Sequence, residues 1–368
     1  MPPLDSRQIG VAFDVHGCPN ACRHCWLVDR SSRPITEAQV RWGVEQLRDY
    51  RRAGEAEPFF RTLTVATWFR EPDFSDDYRR LHDLEVELSD GAPARYELLS
   101  VWRLARDPDY AEWARQVGPD TCQISFFGLE DNTNWFCRRR GAFRDALAAT
   151  ERLLEVGMKP RWQFFLTRRI LPELDELMRL VDRMRLRERV EVLGGEFQFF
   201  MHPPTPDGEA RKIEHLRPTI DEIRGRIPQA LEEATRRHFD RDVILRTEAE
   251  LVAEILDVGD KLPFAYDLPD QYWLLVKSDL DVHFNLGTLE PWWRLGNLET
   301  DGAAAIIDAV EQNRPLGLKV NFEVPARELA RQFGDPASRH VYSDAGDLIE
   351  RYLAEYCESA SSSSETRS

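Results

Sequence analysis

Residues 8–26 read QIGVAFDVHGCPNACRHCW. The first seven, 8–14, are the short apolar run of a buried β-strand. Soon after comes Cys18-x3-Cys22-x2-Cys25, so three of the six cysteines lie on one short loop. Three thiolates on a tight turn can each take one iron of a 4Fe–4S cube and leave the fourth iron open. An open position is what separates a catalytic metal site from a structural one. A loop that follows a strand lies at that strand's C-terminal end, where α/β barrels build their active sites. A structural zinc ion is the other reading, with His16 or His24 as fourth ligand. The two separated ligand pairs usual for such zinc sites are absent.

Outward from this loop, strand-like and helix-like segments alternate. Residues 34–52 read as a helix, 63–67 (LTVAT) as a strand, and 96–101 (YELLSV) as a third strand. Residues 121–127 (TCQISFF) read as a fourth, 161–166 (RWQFFL) as a fifth and 197–201 as a sixth. Between them, 143–156 and 172–187 carry apolar stripes at helical spacing, and Gly157 stops the first. This alternation predicts βαβ units with a parallel sheet. The pattern breaks at 203–208 (PPTPDG), a turn-rich loop. Residues 215–258 are charged and helical, and 262–325 carry aromatic strands with Gly/Pro turns. The predicted fold is α/β: a partial (β/α)6 barrel of the TIM type with a small C-terminal α+β domain. The expected divisions are a core over 1–225, an extension over 226–330, a helical segment over 331–358 and a disordered serine-rich tail over 359–368.

The formal charge of −16 argues against a phosphate backbone as the main partner. One basic run, Arg138-Arg139-Arg140, reads as a solvated face or a carboxylate clamp. No basic-then-apolar leader opens the chain and no apolar stretch reaches membrane-spanning length, so a cytoplasmic, non-membrane protein is expected. Thiols stay reduced there, which favours metal or catalytic roles for clustered cysteines.

Cys-x3-Cys-x2-Cys after a first β-strand resembles the signature of the radical S-adenosylmethionine (SAM) superfamily. The resemblance covers residues 8–210. It implies one 4Fe–4S cluster on Cys18, Cys22 and Cys25, whose open iron takes the amino and carboxylate groups of SAM. It implies that His24, before the last cysteine, lies near the adenine. Residues 67–74 (TWFREPDF) follow the second strand, and Glu71-Pro72 is similar to the end of the family's Gly-Gly-Glu-Pro turn, which binds the SAM amino group; Phe69 and Arg70 replace the glycines. Ser125 resembles a serine that contacts ribose or carboxylate. Arg140, Gly141 and Phe143 resemble an Arg-Gly-x-Phe turn into a helix. Arg161 and Gln163, on one face of the fifth strand, are candidates for the SAM carboxylate or core polar residues satisfied by the backbone.

From Tyr272 onward, YWLLVKSDLDVHFNLGTLEPWWRLGN resembles the SPASM/twitch-type extension of family members that act on peptides or sugars, with Leu295-Gly296-Asn297-Leu298 at its Leu-Gly-Asn motif. Asn285 stands where that extension has a cysteine, and none lies between 138 and 356, so this extension is expected to be cluster-free. Cys122 reads as a core residue and Cys357 as incidental. Cys137 is a candidate hydrogen-atom donor to a substrate radical, or a turn residue without chemistry. The implied partners are a flavodoxin- or ferredoxin-type reductant and a peptide or small natural-product substrate, with Trp68, Trp102, Trp135, Trp292 and Trp293 as candidate stacking residues. The alternative class is an iron–sulfur or zinc protein for electron transfer or scaffolding, with no SAM chemistry.

Overall fold

The computed structural model describes residues 7–365 apart from 16, 28–33, 68–69, 92–96, 119, 259–271 and 285–287. His16, Trp68, Phe69 and Asn285 therefore lie outside the described residues.

Strand β1 (Gln8–Phe13) sends Ile9, Val11 and Phe13 into an apolar core, as its period-two pattern requires. It pairs in parallel with β2 (Thr62–Ala66), Ile9 opposite Leu63. The connection runs through helix α1 (Glu37–Arg48), opened by a capping box between Thr36 and Gln39. Helices α2 (Tyr78–Leu88), α3 (Val101–Leu104) and α4 (Pro108–Val117) lead to β3 (Thr121–Phe126). Then come α5 (Glu130–Cys137), α6 (Ala142–Glu155), β4 (Lys159–Phe165), α7 (Leu174–Arg183), α8 (Leu186–Val192) and β5 (Phe199–His202). Strands β3, β4 and β5 are parallel, with Ser125 opposite Gln163 and Gln163 opposite Phe200. Cys122, Ile124, Phe126, Trp162 and Phe164 pack with the helices in a second core. The other face of β3 and β4, with Gln123, Ser125, Arg161 and Gln163, is half-buried. These strands and helices form the parallel, partial TIM-type barrel that the alternation predicts.

The third strand expected at 96–101 is not a strand in the described part. Val101 opens α3 instead, and the Ser100 side chain caps that helix by accepting from the Arg103 N–H at 3.1 Å. The segment still lies beside β3, because the Gln123 N–H donates to the Glu97 carbonyl at 2.8 Å.

Five further short strands follow: β6 (Arg246–Thr247), β7 (Tyr272–Val276), β8 (Asp281–Phe284), β9 (Arg294–Asn297) and β10 (Val341–Tyr342). Strand β7 lies parallel to β1, Ile9 opposite Tyr272, and β8 and β9 extend the sheet antiparallel. Strand β1 thus sits inside a sheet of order β2-β1-β7-β8-β9. Gly10 admits this neighbour: a Cβ there would lie 2.3 Å from the Trp273 ring.

The tail expected to be disordered is helical through Glu365, as the end of Ala345–Glu365. The Ser359, Ser361 and Ser362 hydroxyls donate to the Tyr356, Cys357 and Glu358 carbonyls, satisfying the groups that would otherwise favour a turn. Cys357 is fully buried in the core with β1 and β7. Among the described residues no helix is long and apolar enough to cross a membrane.

Candidate active site

The cysteine loop leaves β1 at Asp14, whose N–H donates to the Val276 carbonyl of β7 at 2.9 Å. Three backbone hydrogen bonds then fix the loop around Cys22–Cys25 to two other segments. At the first, Ala21 N–H donates to Cys137 O at 3.1 Å and Arg23 N–H to Phe136 O at 2.8 Å, so the loop runs against the end of α5. At the second, Glu209 N–H donates to Cys25 O at 2.8 Å. Gly208 permits that approach: its φ is +49°, and a Cβ there would lie 2.4 Å from the Trp26 carbonyl oxygen. The turn-rich stretch after β5 is therefore a brace for the loop, a role its sequence did not indicate.

Cys18, Cys22 and Cys25 are all half-buried. Burial first, then the Glu71 carboxylate, pushes the Cys18 thiol far up, with Cys22 and Cys25 acting in the same direction. The Cys22 thiol is raised foremost by Cys137. Cys137 is buried at the last position of α5, in an apolar cluster with Phe127, Phe136, Ala142 and Ile213 against which Cys22 packs. The three loop thiols thus feel one another. Among the described residues, however, no three Cys, His, Asp or Glu side chains converge on one point as a single metal ion needs.

His24 is half-buried, its ring 4.2 Å from that of Phe127, just past β3, and 4.8 Å from that of Phe165 at the end of β4. Burial lowers its pKa to about 3, so the ring is neutral, and its Nδ1 has no hydrogen-bond partner among the described residues. One layer below, Ser125 Oγ and Gln123 Nε2 both donate to Gln163 Oε1, at 3.3 and 2.7 Å. Arg161 lies deeper still; it donates to Gln123 Oε1 at 3.1 Å and pairs with Glu97. The structure therefore brings Ser125 and Gln163 together beneath the His24 stack and holds Arg161 in a separate ion pair.

Glu71 comes from the turn after β2. It accepts from Ser100 Oγ at 2.9 Å and the Trp102 N–H at 3.3 Å, and burial raises its carboxyl. Its preceding residue, Arg70, reaches the carboxylate of Asp14 at 2.8 Å in a buried ion pair across the mouth. Arg139 ties the loop from outside, its Nε donating to Asn20 Oδ1 at 2.6 Å. Sequence reasoning missed Ser100, Asp14, Arg70 and Arg139 because each acts through a partner distant in the chain. Of the candidate tryptophans, Trp293 is core, Trp102 stacks edge-on against Phe74 at 5.2 Å, and Trp292 lies under Arg211. Trp135 carries two guanidiniums, of Arg23 at 4.1 Å and Arg169 at 4.3 Å.

Asp207, beside Gly208, makes the mouth acidic. Burial, then Glu290 and Asp347, raise its pKa to about 7. His202 at the end of β5 lies 3.8 Å from Asp347.

No family model and no curated protein sequence matches the chain. Solved structures do. Native anSMEcpe with bound AdoMet aligns over 96% of this chain and 98% of that one, at 13% identity and a TM-score of 0.52. Native anSMEcpe with bound AdoMet and the Cp18Cys peptide aligns over 96% and 97%, at 11% identity and a TM-score of 0.50. Streptococcus suis SuiB bound to precursor peptide SuiA aligns over 75% and 58%, at 13% identity and a TM-score of 0.40. The chain shares the fold of the first two.

Proposed function

We propose that this chain is a radical SAM enzyme that holds one 4Fe–4S cluster on Cys18, Cys22 and Cys25 and binds SAM beside it. The carrying observation is the braced three-cysteine loop at the C-terminal mouth of a parallel barrel, with the Glu71 carboxylate close enough to act on Cys18. Each iron of a cube takes one thiolate, so three thiols on one short loop suit a cube with one open iron. The shared fold with structures that hold AdoMet supports the same reading.

When bound, the reduced cluster and SAM would supply hydrogen-abstracting radical chemistry to the substrate. The protein's own work is holding and shielding. Glu71 is kept in place by Ser100 and the Trp102 N–H, so that its carboxylate accepts from the SAM amino group. The Ser125–Gln163 pair faces the barrel interior and serves the ribose or carboxylate, with Arg161 behind it through Gln123. The neutral His24 ring, backed by Phe127 and Phe165, offers a flat apolar wall for adenine. Closing such a site against water protects a reactive carbon centre. The electron comes from a flavodoxin- or ferredoxin-type donor, and the reducing cytoplasm is the fitting compartment.

The substrate is a peptide or a small natural product; the peptide held by one structural neighbour supports the former. Residues 226–330 then act as a cluster-free twitch-like extension beside the core of 1–225. Buried and packed with Cys22, Cys137 is poorly placed to meet substrate, and we assign it to the cluster side of the site.

The test is anaerobic reconstitution with iron and sulfide, then dithionite and SAM, with 5′-deoxyadenosine followed by mass spectrometry. Wild type should form it, and the Cys18→Ala/Cys22→Ala/Cys25→Ala variant should not. A protein that binds about four irons yet never cleaves SAM would be an electron carrier or scaffold. One that takes up zinc alone would overturn the reading.

A further inference from the structure

Most arginines here stand against carboxylates, as an acidic chain of formal charge −16 allows: Arg41 and Arg80 share Glu37 and Glu87, and Arg179 and Arg183 share Glu176. One face departs from this. Arg23 lies between two of the loop cysteines, Cys22 and Cys25. Its Nε donates to the Trp135 carbonyl at 3.2 Å and its guanidinium lies over the Trp135 ring at 4.1 Å. Arg169 reaches the same ring at 4.3 Å, and its Nε donates to Asn132 Oδ1 at 2.8 Å. Neither has a carboxylate partner among the described residues, and nor does the exposed Arg140. Arg138 beside them approaches Glu209 only to 3.7 Å.

Several of the nearby acids are already engaged, while Asp131 on α5 is exposed. Glu130 is taken by Arg144 at 3.2 Å, Asp145 by Arg139 and Arg106, and Glu209 is shared with Lys212. Bringing like charges together is unfavourable. Trp135 offsets part of that cost through its π-face, which holds both cations on the loop's outer side. Four arginines thus stand together beside the cysteines, three of them without a carboxylate partner among the described residues.

We infer that the Arg23–Trp135–Arg169 face, with Arg140, is the docking surface for an acidic one-electron carrier protein of the flavodoxin type. The inference rests on the reading of the cysteine loop as the cluster ligand set. Electron transfer falls off steeply with distance, so the donor must come to the ligand loop itself, and Arg23 is part of that loop. A positive patch on a negative molecule orients an acidic partner before contact and raises its association rate, most strongly at low salt.

The experiment uses the full-length, cluster-loaded protein under anaerobic conditions, with an acidic flavodoxin as the probe. Its affinity is measured by calorimetry, and cluster reduction by its hydroquinone by stopped-flow, at low and high ionic strength. Arg140→Glu/Arg169→Glu should weaken binding and slow reduction at least about tenfold at low salt, equivalent to about 1.4 kcal/mol, and the difference should shrink at high salt. Arg140→Lys/Arg169→Lys, which keeps the charge, should retain most of the affinity. Arg236→Glu, on the helix Gln229–Phe239, is the control for charge reversal elsewhere.

Equal affinity and equal salt dependence in wild type and the Glu variant would overturn the inference. So would a Lys variant that loses as much as the Glu variant, because charge would then not be the cause. A glutamate-rich peptide that competes for the face while flavodoxin does not bind would overturn it in favour of an acidic peptide partner. The underlying reading fails separately, when dithionite reduces no cluster in wild type; the docking surface fails when dithionite reduces the cluster but flavodoxin ignores the charge reversal.

Discussion

Cys22, on the cysteine loop, packs against the cluster that holds Cys137 at the end of α5, and Cys137 is the foremost influence raising the Cys22 thiol. The backbone contacts Ala21 N–H to Cys137 O and Arg23 N–H to Phe136 O hold them in this pairing. With an iron on Cys22, the Cys137 S–H becomes a donor to a ligating sulfur. Donors to cluster sulfurs raise the reduction potential. Cys137→Ala should therefore shift the cluster's potential more negative, and Cys137→Ser, which keeps a donor, should shift it less. Potentiometric titration followed by EPR reads this directly. Identical midpoints in all three proteins would rule the hydrogen bond out as an influence.

Gly208 is the second fixed point of the loop. Gly208→Ala places a methyl into the Trp26 carbonyl and a side chain at positive φ. The expected loss is about 1–3 kcal/mol, with reduced iron retention after reconstitution. Thermal unfolding and iron analysis check it, and an unchanged melting temperature with full iron content would refute the bracing role.

The Asp14–Arg70 pair is buried at the mouth. Asp14→Ala alone strands a buried guanidinium and should cost about 3–5 kcal/mol in urea unfolding. Asp14→Ala/Arg70→Gly removes both charges and should recover a large part of that loss. If the single and double variants unfold alike, the two residues are not coupled.

Asp207 has a carboxyl raised to about 7 by burial and by Glu290 and Asp347. The unfolded chain ionises it near the ordinary value of about 4, so unfolding releases a proton between those two values. Its contribution to stability is accordingly present at low pH and is lost as pH rises through about 7. Asp207→Asn mimics the protonated form. It should raise the melting temperature relative to wild type at pH 8 and change it little at pH 4. An equal effect at both values would show that Asp207 ionises normally.

What could be read from the residues alone followed from local rules. The strand-then-cysteine order, the helix at 143–156 and the parallel alternation all depend on near neighbours, and each reappears in the fold. Glu71 was legible only through its place after β2. The apolar run at 96–101 looked like a strand because the capping role of Ser100 competes with it over one residue. Arg70 stood out as a misfit to a glycine pattern, and its reason, Asp14, becomes visible only when the ends of β1 and β2 are adjacent. The meeting of Cys22 and Cys137 likewise needs α5 to end beside the loop. The serine-rich tail misled because its hydroxyls can cap a turn or bond back along a helix, and here they do the second.

The pairing of β1 with β7 bears on the order in which the molecule assembles. Strand β1 is inner in its sheet, and one of its two neighbours, β7, comes far later in the chain. Until Tyr272–Val276 emerges, the β1 edge that precedes the cysteine loop has unmatched N–H and C=O groups. Such an edge is a template for wrong pairings, and contacts of long sequence separation form slowly. On the reading of this loop as the cluster ligand set, iron insertion belongs after β7 has paired with β1 rather than before.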